Sequence, residues 1–172
     1  MINAIINAIE RRTGATLDYL RVTAKNSKSA FCKLLLLMPL ASHRKRLPRQ
    51  LWHTARIVAT QRDDCGACVQ ITVNMAAQDG VAPHFIRSVL NRDVAKLDPE
   101  AVQMIRLVEA SIDGAEDVAE PIRRAFVQRY GEAAIVELAL AVATSRVFPT
   151  IKKVLGLAKS CSLVRIEIQG ES

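Results

Sequence analysis

The sequence predicts an all-α protein, folded as a single-domain helical bundle. Half of its 172 residues are hydrophobic but only 4% are aromatic, so the core must be built from Ala, Val, Leu and Ile. Such a composition, with few glycines, suits helices better than a β-sandwich or a barrel. The length is that of one domain with a proper core, and apolar residues recur at helical spacing along most of the chain.

Residues 1–46 are predicted to form short amphipathic helices that pack on the rest of the chain. Isoleucines recur at helical spacing within residues 2–9, and Gly14 ends that first helix. A later helix begins at Ser27 or Ser29 and is apolar nearly all round, which is typical of a helix in a core or at a subunit interface. We therefore expect this region to be packed.

Residues 47–157 are predicted to form the helical core. Pro48 suits the first position of one helix, and the following helix runs to about Asp79. The pair Asp98-Pro99 is a strong start signal, because Asp is a good N-cap and Pro fits the first helical position. Each of these signals predicts a helix boundary.

The last part of the core is predicted to hold two helices, one from about residue 120 to 130 and a longer one from about 132 toward 156. Residues 133–147 are nearly all Ala, Val, Leu and Ile, so we expect this long Ala-rich helix at the centre of the bundle, kinked or broken at Pro149. The C-terminal tail, residues 158–172, contains a strand-like alternation but no ladder partner.

Two cysteines three residues apart are the strong chemical signal of this chain. If Asp63 or Asp64 is an N-cap, Cys65 falls in the first turn of a helix and Cys68 one turn later on the same face. Free backbone N–H groups and the positive end of the helix dipole favour a thiolate there. Because the second sulfur can reach the first, an oxidised intermediate can close to a disulfide.

Cysteine usage and hydropathy favour a soluble cytoplasmic protein without a membrane partner. Cys32 and Cys161 stand alone, so the four cysteines do not resemble a disulfide scaffold, and a reducing compartment is expected. No apolar run approaches the roughly 20 residues that span a bilayer. The start of the sequence lacks the basic and apolar regions of a signal peptide.

The net charge of +7 is concentrated in the first part of the chain, where residues 1–62 carry 12 Lys/Arg and 2 Asp/Glu. The densest cluster, residues 43–49, has no interleaved aromatic residues and matches no nucleic-acid motif, which argues against nucleic-acid binding. We expect a solvated helix junction or a contact with an acidic surface of another subunit.

Two other interpretations of the cysteine pair compete with redox chemistry. Free cysteines are often small buried hydrophobes, which is also our expectation for Cys32. A zinc site would need two more ligands, and the candidates His53, His84, Cys32 and Cys161 are not at ligand spacing. We therefore predict no metal and no cofactor.

The order of these features resembles the carboxymuconolactone decarboxylase-like superfamily, and within it the alkyl hydroperoxidase D branch. The resemblance covers residues 47–157 and rests on four motifs. They are Arg56-Ile57-Val58-Ala59, Cys65-Gly66-Ala67-Cys68, Leu97-Asp98-Pro99-Glu100 and Val136-Glu137-Leu138-Ala139. It implies an all-helical homo-oligomer, a trimer or a hexamer, whose cysteine pair reduces a peroxide substrate and is itself reduced by a thiol partner.

The chain departs from that branch at two positions of its proton relay. The branch carries a Glu twelve residues before the first cysteine and a His four residues after the second, where this chain has His53 and Thr72. An imidazole that titrates near neutrality can accept a thiol proton, so His53 is the candidate base beside Cys65 and Cys68. Thr72 could supply only a hydroxyl hydrogen bond.

The sequence therefore predicts a dithiol oxidoreductase, acting in peroxide reduction or thiol–disulfide exchange. The alternatives are a non-redox, decarboxylase-like enzyme acting on a small lactone acid and a catalytically silent oligomeric binding protein. The identity of the nucleophile stays open. A position in the first helical turn favours Cys65, whereas proximity to the His position of the family favours Cys68.

Overall fold

The computed structural model describes residues 2–157, and within that range it is helical without strands. The all-α, single-domain prediction is confirmed. The described helices are α1 (Ile2–Thr13), α2 (Asp18–Asn26), α3 (Lys28–Leu35), α4 (Leu37–Ala41), α5 (Arg49–Gln61), α6 (Gly66–Gln78), α7 (Pro83–Asn91), α8 (Pro99–Asp113), α9 (Glu116–Tyr130) and α10 (Glu132–Val154), with a 3₁₀ turn at Val94–Lys96. The strand-like part of the tail lies outside the described residues.

Helix α5 lies at the centre of the largest hydrophobic cluster among the described residues. Every residue from Leu51 to Thr60 is buried, and α5 packs against α6, α7, α8 and α10. The expected long Ala-rich helix is α10, which has 23 residues and packs against α4, α5 and α9. Since α5 is buried on all sides, its polar side chains must find partners inside the protein or remain without them.

The N-terminal helices form a second, smaller cluster. Its buried members include Ile6, Leu20 and Phe31, and it packs against partly buried residues of the larger unit such as Ile71 and Phe148. The side-chain amide of Asn74 on α6 also donates a 2.9 Å hydrogen bond to the carbonyl of Thr13, at the end of α1. The N-terminal region is therefore seated on α6 and α10.

The apolar segment that follows Ser27 does not form the single buried helix that we predicted. Ser27 caps α3, since its hydroxyl accepts a bond from the Ala30 N–H, but the helix ends at Leu35. Leu36 is 72% exposed, and the short helix α4 follows. Because the chain turns here, one side of the segment faces solvent. Cys32 is exposed, so its expected burial is wrong.

Several helix boundaries follow the local signals in the sequence. The Asp98 carboxylate accepts a 2.8 Å bond from the Ala101 N–H and Pro99 opens α8, as predicted. Gly114 ends the same helix at φ 72°, a conformation that favours glycine. Helix α9 begins at Glu116, earlier than the position near 120 that we predicted.

Pro149 does not break α10, which continues to Val154. Proline has no N–H for the preceding turn, so one carbonyl of α10 loses its helical partner. The hydroxyl of Thr150 donates a 2.8 Å bond to the neighbouring carbonyl of Arg146. Among the described residues, α10 is the one helix long and apolar enough to cross a membrane by length and composition, and 39% of its apolar window is buried inside the protein.

Candidate functional site

The cysteine pair lies at the start of α6, shifted by one position from the prediction. Cys65 is the N-cap and Gly66 is the first helical residue, so Cys68 lies in the first turn. Neither Asp63 nor Asp64 caps the helix. Both backbone N–H groups still donate to carbonyls of the last turn of α5, and Asp64 has a left-handed φ of 47°. Both thiols therefore lie at the N-terminal end of α6, Cys65 at the cap and Cys68 in the first turn.

Cys65 and Cys68 are brought together as a disulfide, with their Cα atoms 5.2 Å apart. Both residues are buried, Cys65 with 2% and Cys68 with 6% of its surface exposed. The backbone N–H of Cys68 donates a 2.9 Å bond to the carbonyl of Cys65, which closes the turn between the two sulfurs. The pair is therefore positioned for reversible dithiol–disulfide chemistry.

One of the two cysteines faces a cavity of about 450 Å³ between the N-terminal helices and the larger cluster. Cys68 forms part of its wall, and Cys65 does not. The wall is made by α1, α2, α4, α5, α6 and α10, and its volume is typical of a small-molecule site. The apolar lining residues are Ile9, Leu17, Tyr19, Met38, Pro39, Ala41, Ile71, Met75, Phe148 and Pro149.

Arg56 from α5 is the most unusual residue of this cavity wall. Only 6% of it is exposed, and its guanidinium carbon lies 4.5 Å from the centre of the Trp52 ring. Its Nη2 donates to the sulfur of Met75 at 3.5 Å, while Nε and Nη1 have no hydrogen-bond partner among the described residues. Burial lowers the pKa of Arg56 to about 10, so the group is still cationic at neutral pH.

The hydroxyl groups near Cys68 are mostly committed to the backbone. Thr72 donates a 2.8 Å bond to the carbonyl of Val69, and Thr60 donates a 2.7 Å bond to the carbonyl of Arg56. The proton of Thr72 is therefore not directed at a sulfur. Ser145 from α10 also lines the cavity, and its buried hydroxyl has no partner among the described residues.

The loop before the cysteines is tied to α10 by an ion pair. The buried carboxylate of Asp63 contacts the guanidinium of Arg146, with distances of 3.1 Å to Nε and 3.4 Å to Nη2. Unpaired carboxylates near a thiol disfavour the thiolate because like charges repel. The Arg146 cation offsets the charge of Asp63 and at the same time holds the loop in place.

His53 is not brought to the cysteines. Its Nε2 lies 2.8 Å from the Asp79 carboxylate at the C-terminal end of α6, and its other ring nitrogen has no partner. Eleven residues separate Asp79 from Cys68, which is about 16 Å along an α-helix. Burial lowers the pKa of His53 to about 4, although the bond to Asp79 opposes this shift. His53 is therefore a neutral, buried side chain at the far end of α6.

The backbone of the basic stretch before α5 is held by the buried carboxylate of Glu137 on α10. This carboxylate accepts hydrogen bonds from the backbone N–H groups of Arg46, at 2.9 and 3.0 Å, and of Leu47, at 3.0 Å. This stretch is thus a helix junction fixed on α10. Its side chains do not line the cavity.

The described residues contain no group of three or more His, Cys, Asp and Glu side chains placed to hold a metal ion. His84 is exposed on α7, away from the pair, and Cys161 lies outside the described residues. The zinc hypothesis thus has no assembled ligand set in this part of the chain.

Comparisons of the chain with protein-family models, with curated proteins and with solved structures find no match. The resemblance to the carboxymuconolactone decarboxylase-like superfamily stays a prediction that rests on sequence motifs.

The polar part of the cavity, above all Arg56, was not predicted from the sequence. A signal was present, since Trp52 and Arg56 are four residues apart and thus share one face of a helix. That signal was weak, because an arginine on a helix is normally a solvated residue. The burial of Arg56 becomes evident only in the structure, where every residue from Leu51 to Thr60 is buried.

Proposed function

We propose that the chain is a dithiol oxidoreductase that reduces organic peroxides through Cys65 and Cys68. The observation that carries the proposal is the position of Cys68, which belongs both to the disulfide and to the wall of a mostly apolar cavity. A small apolar substrate in that cavity would meet one sulfur of the pair. The second sulfur lies behind it, within bonding distance.

The proposed reaction begins with the reduced pair. The Cys68 thiolate attacks the distal oxygen of the hydroperoxide, the O–O bond breaks, and the alkoxide leaves and takes up a proton as the alcohol. Cys68 is then a sulfenic acid, and the Cys65 thiolate attacks its sulfur and displaces hydroxide, which is protonated to water. An external dithiol reduces the disulfide by exchange and is itself oxidised.

The Cys68 thiolate would form without a neighbouring base. Neither a carboxylate nor an imidazole lines the cavity within the described residues, and His53 is bonded to Asp79 instead. What favours the thiolate is the positive end of the α6 dipole, because Cys68 lies in the first turn of that helix. This proposal assigns the nucleophile to Cys68 and the resolving role to Cys65.

The test is to react the reduced protein with cumene hydroperoxide and to follow the mass of the cysteine peptides. The wild-type protein should form an intramolecular disulfide within seconds at micromolar peroxide. Cys65→Ser should instead give a sulfenic acid on Cys68 that dimedone traps, whereas Cys68→Ser should leave Cys65 as the thiol. Cys32→Ser is the matched control and should behave as wild type.

Thiols that resist millimolar peroxide would contradict this function. They would favour the two alternatives, a non-redox decarboxylase-like enzyme or a silent binding protein. Modification of Cys65 rather than Cys68 would reverse the two roles. We further propose, from the cysteine usage, that the chain works in the cytoplasm, and, from the resemblance alone, that it is a trimer or hexamer.

A further inference from the structure

The cavity is strongly biased toward positive charge. Arg12, Arg56 and Lys152 contribute to its wall, and among the described residues the wall contains no Asp or Glu. The side chain of Lys152 is largely buried, with 8% of the residue exposed, but its ammonium group reaches solvent. The buried cation of this wall is Arg56, and a buried cation without a direct counter-ion is costly, so its guanidinium indicates a place for an anion.

Arg56 gives this charge a definite chemistry. Its guanidinium stacks on Trp52 and contacts the Met75 sulfur, and neither group neutralises a cation. The Asp79 carboxylate at the end of α6 raises the pKa of Arg56 by its charge but forms no ion pair with it. Two nitrogens of Arg56 have no partner, and neither has the Ser145 hydroxyl in the same cavity. These donors come from α5 and α10, and a carboxylate between the helices would satisfy them with charge-assisted hydrogen bonds.

The rest of the cavity is apolar. The side chains of Ile9 on α1, Met38 on α4, Ile71 on α6 and Phe148 on α10 enclose it from different directions. An inorganic anion would leave this surface uncovered. A ligand with an anionic head and an aliphatic body matches both parts of the wall.

We propose that the cavity binds an amphipathic carboxylate, with its head at Arg56 and its aliphatic chain along the apolar wall that contains Cys68. If the protein is the proposed peroxidase, its substrate would be a hydroperoxide of an aliphatic carboxylic acid. That identification of the substrate rests on the proposed function. The binding site itself does not depend on the redox chemistry.

The experiment is a titration of the full chain with decanoate, followed by calorimetry and by the fluorescence of Trp52. Trp52 is the one tryptophan of the sequence and lies against the Arg56 guanidinium. Decanol is the neutral comparison ligand. Decanoate should bind with a stoichiometry of one per chain, change the fluorescence, and bind about 10- to 100-fold more tightly than decanol.

Two variants locate the head of the ligand. Arg56→Met should weaken decanoate by about 10- to 100-fold and leave decanol unchanged. The matched control is Arg106→Met, at an exposed position on α8, which should bind both ligands as wild type does. If circular dichroism shows that Arg56→Met is unfolded, Lys152→Met replaces it, with an expected loss of several-fold for decanoate alone.

Equal affinity for decanoate and decanol, no binding of either, or an unchanged affinity in Arg56→Met would each overturn the proposal. The outcome is separable from that of the peroxide assay. If decanoate fails to bind but cumene hydroperoxide still closes the disulfide, the ligand class is wrong and the proposed function stands. If decanoate binds but the thiols do not react with peroxide, the proposed function is wrong and the ligand class stands.

Discussion

A single imidazole makes the stability of this fold sensitive to acid. His53 is 1% exposed, and burial lowers its pKa from about 6.5 to about 4. The unfolded chain therefore takes up a proton on His53 at a higher pH than the folded chain does. In the window between these two values, stability falls as the pH falls, because protons bind more tightly to the unfolded state.

The first prediction concerns His53→Gln, which keeps an amide near Asp79 but does not titrate. The wild type should lose up to about 3 kcal/mol more of its free energy of unfolding than this variant between pH 7 and pH 4. Urea denaturation at several pH values measures the difference. The control is His84→Gln, at an exposed position, which should keep the wild-type slope. If the free energy of unfolding changed with pH equally in the wild type and in His53→Gln, the lowered pKa of His53 would be contradicted.

The cysteine pair and Arg56 show which residues a sequence can assign. The pair was predictable because its chemistry depends on local spacing, three residues apart at a helix start. His53 was assigned by position relative to the cysteines, yet α5 and α6 place it beside Asp79. The importance of Arg56 depends on contacts with α6 and on a cavity closed by α10, which local patterns do not contain.

Helix boundaries were predictable where a residue type strongly prefers one position at a helix end. Asp98 and Pro99 opened α8 as expected, because an N-cap carboxylate and an N1 proline have no better position. The start of α6 was misplaced, because Asp63 bonds to Arg146, a residue 83 positions away. That ion pair competes with capping. The competition moved the helix start and placed Cys68, not Cys65, in the first turn.

The second prediction concerns Glu137, which joins the junction between α4 and α5 to α10. Burial raises the pKa of this carboxyl, but the hydrogen bonds from Leu47 and Arg46 lower it by more, so the net shift is downward. Glu137→Gln keeps the size and loses the charge that strengthens these bonds. We expect a loss of about 2 to 3 kcal/mol in the free energy of unfolding at pH 7.

Urea denaturation and hydrogen exchange together test the role of Glu137. The amides of Arg46 and Leu47 should exchange faster in Glu137→Gln, while the amides of α8 follow the global stability. Glu132→Gln, at the exposed start of α10, is the matched control and should change the free energy of unfolding by less than about 0.5 kcal/mol. Similar losses in both variants would show that the junction is not held by Glu137.

The described residues form two large hydrophobic clusters and a small third one at the cysteine pair, and the candidate cavity lies beside the smaller of the two large clusters. The larger cluster surrounds α5, and the smaller one joins α1, α2 and α3. Cys68 lines this cavity, most of whose apolar wall belongs to the smaller cluster and whose polar wall includes Arg56 and Thr60 of α5. Because clusters of different size need not open together, the N-terminal helices could separate from a folded core. Access to Cys68 would then depend on the stability of the smaller cluster.

The third prediction compares two core leucines, one in each cluster. Leu20→Ala weakens the smaller cluster and Leu107→Ala the larger, and each should cost about 2 to 5 kcal/mol locally. In the reduced protein carrying Cys65→Ser, Leu20→Ala should speed the reaction of Cys68 with N-ethylmaleimide at least tenfold. Leu107→Ala should lower the urea midpoint of the whole domain but change that rate far less. Equal acceleration in both variants would mean that the molecule opens as one unit, and that its N-terminal helices do not control access to the cavity.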